Sequence, residues 1–289
     1  MKTAIVTDGD CDIDEDFAKK RGIFFVKHKA ILDGGEYRLN ENITREEFVK
    51  LLKKSKKYAT TAVPTTEEVE RRLLEIREKG FDRLVIVSIS KQMSSMFSIY
   101  KKLVNSKKWL KDFILIDSEV ASAQQGIIAL LLSELNLDSL SKKQIISYAE
   151  NIKKNSALYY VVFDISYLVK GGRLKPFVGL ISKTLNIFPI LSLRDGSPVV
   201  ISKKVGLESS LNEIFSLVST FAQNNEFYFG VLSGSKESEQ YASLLKDKIS
   251  QHFGKKANFV YWFKTNLAIT AHTGPEIFGV VIVKKWKCK

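Results

Sequence analysis

Histidine and cysteine are scarce in this chain, with three and two residues respectively among 289. Cys11 and Cys288 provide neither a disulfide framework nor a cysteine-based metal site. His28, His252 and His272 lie far apart, and none has partners at zinc-ligand spacing. No apolar run approaches the ~20 residues that a membrane span needs. The strongest one, GIIALLL, is stopped by Ser133 and Glu134. The opening MKTAIVTDGD reaches acidic residues by Asp8, too early for the apolar core of a secretory signal. Neither GxGxxG after the first strand candidate nor GxSxG anywhere is found, so a dinucleotide site and a serine-hydrolase elbow have no support. These absences predict a cytoplasmic protein without stable membrane insertion, metal or organic cofactor.

An apolar fraction of 45% with five prolines fits an ordered globular protein, and the length predicts two domains of about 130–150 residues. The net charge of +13 raises the question of an anionic polymer as partner. However, 36 lysines stand against nine arginines, mostly as scattered doublets on the polar faces of predicted helices. Readers of DNA sequence rely on arginine for bidentate base contacts. A solvated surface is therefore preferred to binding of nucleic acid or anionic lipid.

The first half alternates. Strands are predicted at AIVTD (4–8), GIFFVKH (22–28), RLVIVSI (83–89) and DFILIDS (112–118). Helices are predicted near 13–20, 44–54, 65–80, 94–106 and 124–135. Thr44 with Glu47 has capping-box spacing, and Thr65 or Thr66 caps the next helix, which Gly80 stops. Strands apolar throughout, between amphipathic helices, argue a parallel sheet covered on both faces. After a charged helix at 141–154 the texture changes. Strands at 158–165, 188–193, 198–204, 226–233, 258–263 and 278–285 enclose helices at 208–223 and 235–252, as in a mixed sheet. The expected fold is α/β with two domains, a parallel one over 1–155 and a mixed one over 156–289.

Five stretches have residues suited to chemistry. DGDCDIDED (Asp8–Asp16) follows the first strand, where Asp8 and Asp10 would suit an Mg²⁺-dependent phosphatase. No later acidic pair completes such a site, so Asp12 or Asp14 as a helix cap is the preferred reading. In ATTAVPTTEE (59–68), Thr60 and Thr61 are not needed for the cap and sit in an extended segment before Pro64. In SISKQMSSMFSIYKK (88–102), Ser94 and Ser95 fall at a helix start beyond a strand's carboxyl end, as caps or as anion contacts. LVKGGRLKPF (168–177) places Arg173 after a double glycine, with a helix expected from about Leu174. AHTGPEIFG (271–279) sets His272 and Thr273 in an expected Gly-Pro turn. Neutral Thr, Ser and His donors without a nucleophile elbow or a metal suit the binding of a small anion, such as a carboxylate, better than chemistry on it, with a structural turn histidine as the alternative for His272.

Taken in order, AIVTDGDCDI, ITREEF, TTAVPT, SISKQMSSMFS, DSEVASAQQG, YLVKGGRL and AHTGPEIFGV resemble the motifs of the DegV family, bacterial fatty-acid-binding proteins that act as lipid carriers for fatty acid kinase. The resemblance covers essentially the whole chain. It implies a tunnel between two α/β domains for one long-chain fatty acid, the carboxylate held at the mouth by Thr61, Ser94 and His272, with Arg173 in support. Thr60, Ser95 and Thr273 are further candidates. A separate kinase subunit would phosphorylate the bound acid, so this chain would not itself be an enzyme. Ile127–Leu132, Phe163–Leu168 and Phe177–Ile190 are the candidate lining, with ordinary core as the equal alternative for each. The chain departs from the family pattern at Ala62 and Ser95. Glu276 stands for a glycine and is expected near the mouth. Val205 and Leu207 stand where many members have arginines, which leaves open lipid storage or transport without a kinase.

Overall fold

The computed structural model describes residues 2–107, 109, 112–174 and 186–285. The first half supplies β1 (Thr3–Asp8), α1 (Glu15–Lys19), β2 (Ile23–Val26), β3 (Lys29–Leu32), β4 (Gly35–Tyr37), α2 (Arg45–Lys54), β5 (Thr60–Ala62) and α3 (Thr66–Glu78). It continues with β6 (Arg83–Ser88), α4 (Met96–Ser106), β7 (Phe113–Asp117), α5 (Ser122–Ser133) and α6 (Lys142–Lys154). Strands β2-β1-β6-β7 form an all-parallel sheet in that order. Its order reverses between β1 and β6, and such a switch point opens a crevice beyond the strands' carboxyl ends. A small antiparallel sheet, β4-β3-β5, sits beside it; the sequence pattern had indicated only an extended segment at Thr60–Thr61.

The second half adds β8 (Ser156–Val162), α7 (Ser166–Lys170), β9 (Ile187–Arg194), β10 (Ser197–Val205), α8 (Leu207–Ala222) and β11 (Phe227–Ser233). It ends with α9 (Lys236–Phe253), β12 (Ala257–Lys264), α10 (Leu267–Thr273) and β13 (Ile277–Lys284). The sheet runs β10-β9-β8-β13-β11-β12, antiparallel except for the β11–β12 pair, and is thus mixed as expected.

Local signals set the helix starts. Thr44 and Thr65 both make the full capping box, with Glu47 and Glu68. Asp14, not Asp12, caps α1, accepting hydrogen bonds from the Asp16 and Phe17 amides. Helix α5 is buried on all sides from Ser122 to Leu132. It belongs to one apolar cluster with Ile5, Val85 and Val87 of the parallel sheet and with Leu158, Leu232 and Val281 of the mixed one. A helix wedged between two sheets has no face left for water, which explains its uniform hydrophobicity. Helix α10 crosses in the other direction. Its Leu267 and Ala271 pack with Ala30, Leu32, Phe48, Leu52 and Ala59 of the first half.

Candidate functional site

Between the two sheets lies a cavity of about 370 Å³, within the range typical of small-molecule sites. The parallel side contributes turns at strand ends: Asp10 after β1, Ile89 after β6, and Ala121 and Ser122 at the start of α5. Leu158, Tyr160, Leu193, Leu232 and Ile277 from the mixed sheet make an apolar wall. Thr61, Ser94, Ser95, Arg173, His272 and Thr273 also line it, so the structure brings together six positions from four separate motifs. Thr60, one residue away on β5, is exposed and does not line the cavity, as the two-residue period of a strand requires.

The central contact joins Thr61 Oγ1 and His272 Nε2 at 2.9 Å. Two anchors set it. Thr61 is held opposite Ala30 in the β3–β5 ladder. His272 lies in the last turn of α10, not in the expected Gly-Pro turn, and α10 is tied down at its start. There Asn266 caps the helix by accepting from the Ile269 amide, and its own amide donates to Asp12 Oδ1 at 2.8 Å. Ser122 Oγ donates to the other oxygen of Asp12, and Asn266 Nδ2 donates to the Gly9 carbonyl. One buried carboxyl thus links the turn after β1 to the starts of α5 and α10. Burial, the largest influence, pushes Asp12 up to about 8, against the opposing hydrogen bonds from Ser122 and Asn266.

His272 is held down to about 4, first by burial and then by the charge of Arg173, so its ring is neutral near pH 7. Its Nδ1 is buried without a hydrogen-bond partner and packs against Gly171, where an added Cβ would lie 2.5 Å from it. Gly171 and Gly172 end α7, and Gly172 takes φ +70°. The double glycine therefore closes one helix; the helix expected from Leu174 falls on residues 175 onward, outside the described residues up to 185. Arg173 is partly buried, donates to the Gly171 carbonyl at 2.7 Å, and has its guanidinium destabilised by burial. Among the described residues no carboxylate lies within ion-pair distance of it. Ser94 Oγ accepts from the Met96 amide at 3.3 Å, and Ser95, at the start of α4, makes no capping bond. Thr273 spends its hydroxyl on the Ile269 and Gly274 carbonyls.

Several expectations are corrected. Ile127–Leu132 is core, not lining. Of Phe163–Leu168 only Leu168 reaches the cavity, while Phe163 packs against Phe188 and Phe278. Of Phe177–Ile190, residues 177–185 lie outside the described residues and Ile190 is buried under the mixed sheet. Glu276 turns away from the cavity to Lys53, at 2.7 Å, and Ser235. Asp8 does not line the cavity either. It is fully buried, accepting from Ile89 N (2.5 Å), Tyr100 Oη (2.8 Å) and Ser88 Oγ (3.3 Å), and burial lifts its carboxyl to about 6. Among the described residues no group of three potential metal ligands occurs. The sequence had also left His28 without a partner. In the fold, His28 Nδ1 meets Asp10 Oδ2 at 2.7 Å, and both residues line the cavity.

Comparison with known proteins gives a consistent picture. A family profile described as "Uncharacterised protein, DegV family" matches residues 2–285. A DegV domain-containing protein of Clostridium acetobutylicum is 27% identical over 285 residues, 98% of this chain and 99% of that one. The structure of a DegV family protein from Thermus thermophilus, described as fatty acid binding, superposes with a TM-score of 0.88 at 21% identity, covering 99% of this chain and all of that one. A stearic acid-binding protein from Eubacterium ventriosum gives 0.85 at 20% identity, with 99% of both chains covered. No helix among the described residues is long and apolar enough to cross a membrane.

Proposed function

This chain belongs to the DegV family, whose profile it matches over residues 2–285, and on that basis we propose that the cavity holds one long-chain fatty acid. The observation that carries the reading is the hydrogen-bonded Thr61–His272 pair, in a cavity also lined by Ser94, by Arg173, which has no ion-pair partner among the described residues, and by an apolar wall. The fatty-acid-binding descriptions of the Thermus and Eubacterium proteins support the same ligand class.

The geometry suggests how the carboxylate is held. A buried N–H without an acceptor is rarer than an under-satisfied acceptor, so His272 carries its proton on Nε2 and leaves Nδ1 as the unpaired atom. Nε2–H then donates to Thr61 Oγ1, which frees the Thr61 proton for the carboxylate. Ser94 Oγ and the Arg173 guanidinium supply the remaining donors, and a charge-assisted bond to Arg173 is the strongest available. The apolar wall provides the affinity, at about 0.8 kcal/mol per buried methylene. The polar end fixes which way round the ligand lies.

The chain itself performs no reaction in this reading; it is a cytoplasmic bacterial carrier that presents the acid to a kinase subunit for acyl-phosphate formation. Val205, where many members have an arginine, is an apolar side chain 67% exposed at the end of β10. That observation favours, as a second reading, storage or transport without the kinase. Co-purification with the kinase subunit of the same organism separates the two.

Mass spectrometry of the organic extract from freshly purified, unsupplemented protein tests the ligand class. A stoichiometric long-chain fatty acid, reduced in a His272→Ala preparation, is expected. A protein that is empty and takes up no added fatty acid sinks the proposal.

A further inference from the structure

The apolar wall has one polar member. The strands of the mixed sheet give the cavity Leu158, Tyr160, Leu193, Pro198, Leu232 and Ile277, and of these only Tyr160 carries a hydrogen-bonding side chain. The register sets it in the middle of that wall. Tyr160 pairs with Gly279 of β13, which pairs in turn with Leu232 of β11, so the three form one row on the cavity face. Leu158 and Ile277 stand about 7 Å to either side of that row, two residues along β8 and β13. The phenol therefore has only apolar neighbours in the sheet.

Among the described residues the Tyr160 hydroxyl makes no hydrogen bond, and burial alone, with no charged group contributing, pushes its phenol upward. The residue is 4% exposed. Its oxygen is not one of the unpartnered polar atoms sealed from open space, as His28 Nε2 and Asp10 Oδ1 are, so the space it meets is the cavity. A plain acyl chain laid along this wall strips water from the phenol and returns nothing, which costs affinity. An alkene accepts such a bond only weakly. A hydroxyl on the chain accepts from the phenol but brings a second proton, for which the surrounding apolar side chains offer no acceptor, and a buried orphan donor is the worse defect. A ketone accepts and brings no proton. We infer that Tyr160 selects a fatty acid with an oxo group partway along its chain, the phenol O–H donating to the ketone oxygen. The carboxylate is served elsewhere, since Thr61 and His272 belong to β5 and α10, outside the sheet that forms this wall.

This inference rests on the fatty-acid reading, and one titration series separates the two. Stearate, 10-hydroxystearate and the 5-, 8-, 10- and 12-oxostearates are titrated into delipidated full-length protein. At least one oxo isomer is expected to bind roughly tenfold tighter than stearate, the gain from one satisfied buried hydroxyl. Tyr160→Phe keeps the ring and removes only the oxygen, so the ratio should fall to near one, with stearate bound as tightly as before or tighter. Stearate binding without preference for any oxo isomer overturns the inference and leaves the lipid reading standing. A preference that survives Tyr160→Phe overturns it as well, and so does 10-hydroxystearate bound tighter than every oxo isomer. Binding of none of the six acids removes both.

Discussion

Gly171→Ala tests whether the orientation of His272 matters to binding. The backbone at Gly171 has φ −71°, open to any residue, so the substitution introduces no torsional strain. The new Cβ would lie 2.5 Å from His272 Nδ1 and 2.9 Å from the Tyr167 carbonyl oxygen, where ordinary contact begins at 3.4 Å. The imidazole must therefore yield by roughly 0.9 Å, as an overpacked site does. It cannot move that far and keep its 2.9 Å bond to Thr61. The ligand then loses one oriented donor to its charged end, worth roughly 1.5–3 kcal/mol, or about 10- to 100-fold in Kd. Calorimetric titration with palmitate, alongside thermal melting, reads this directly. Where no clash arises, Gly→Ala usually stabilises a protein by about 0.4–1 kcal/mol. A variant that melts higher and binds palmitate within twofold of the parent would refute the argument, because His272 would then have room to spare.

Thr61→Val and His272→Ala should each weaken palmitate binding by roughly 1–3 kcal/mol with the fold intact; unchanged calorimetric affinity in both would remove the site assignment. His272, depressed in the fold to about 4 from an ordinary 6.5, contributes stability that is fully present above pH 6.5 and is lost as pH falls from 6.5 to 4. That loss amounts to about 3 kcal/mol. Urea unfolding of the parent and of His272→Asn at pH 7 and pH 4 should show their difference shift in favour of the variant at the lower pH, and a constant difference would contradict the burial argument. Glu276→Gln should leave palmitate affinity within twofold, since that side chain faces Lys53 and Ser235; a large loss would mean that it reaches the ligand.

What could be read in the sequence was what is local. The capping boxes at Thr44 and Thr65 lie within four residues, and the alternation of apolar strands with helices follows from periodicity, so both survive in the fold. Helix α10 was not legible. Its seven residues, Leu267–Thr273, are too few to show a period, and the helix depends on Asn266 and on packing against α2, β3 and β5. The Asp10–His28 pair joins two turns with no shared pattern. Thr61 and His272 are 211 residues apart, and only the ordered motif set linked them.

The cavity wall failed for a different reason. The apolar stretch Ile127–Leu132 is, on its sequence, equally suited to lining and to core. In the fold α5 is squeezed between two sheets and Ile127–Leu132 lies in the core, with only Ser122 at the helix start reaching the cavity. The true wall takes single residues from many elements: Ile89 after β6, Leu158 and Tyr160 from β8, Leu193 from β9, Leu232 from β11, Ile277 from β13. Each looks like an ordinary inward-facing strand residue. A cavity arises where two such surfaces fail to meet, and that depends on how far apart other residues hold them. Here Asp12, joining the turn after β1 to α5 and α10, is one of those spacers. The acidic stretch that suggested catalysis therefore serves the site through position: Asp8 and Asp12 fix its frame from the core, and only Asp10 looks into it.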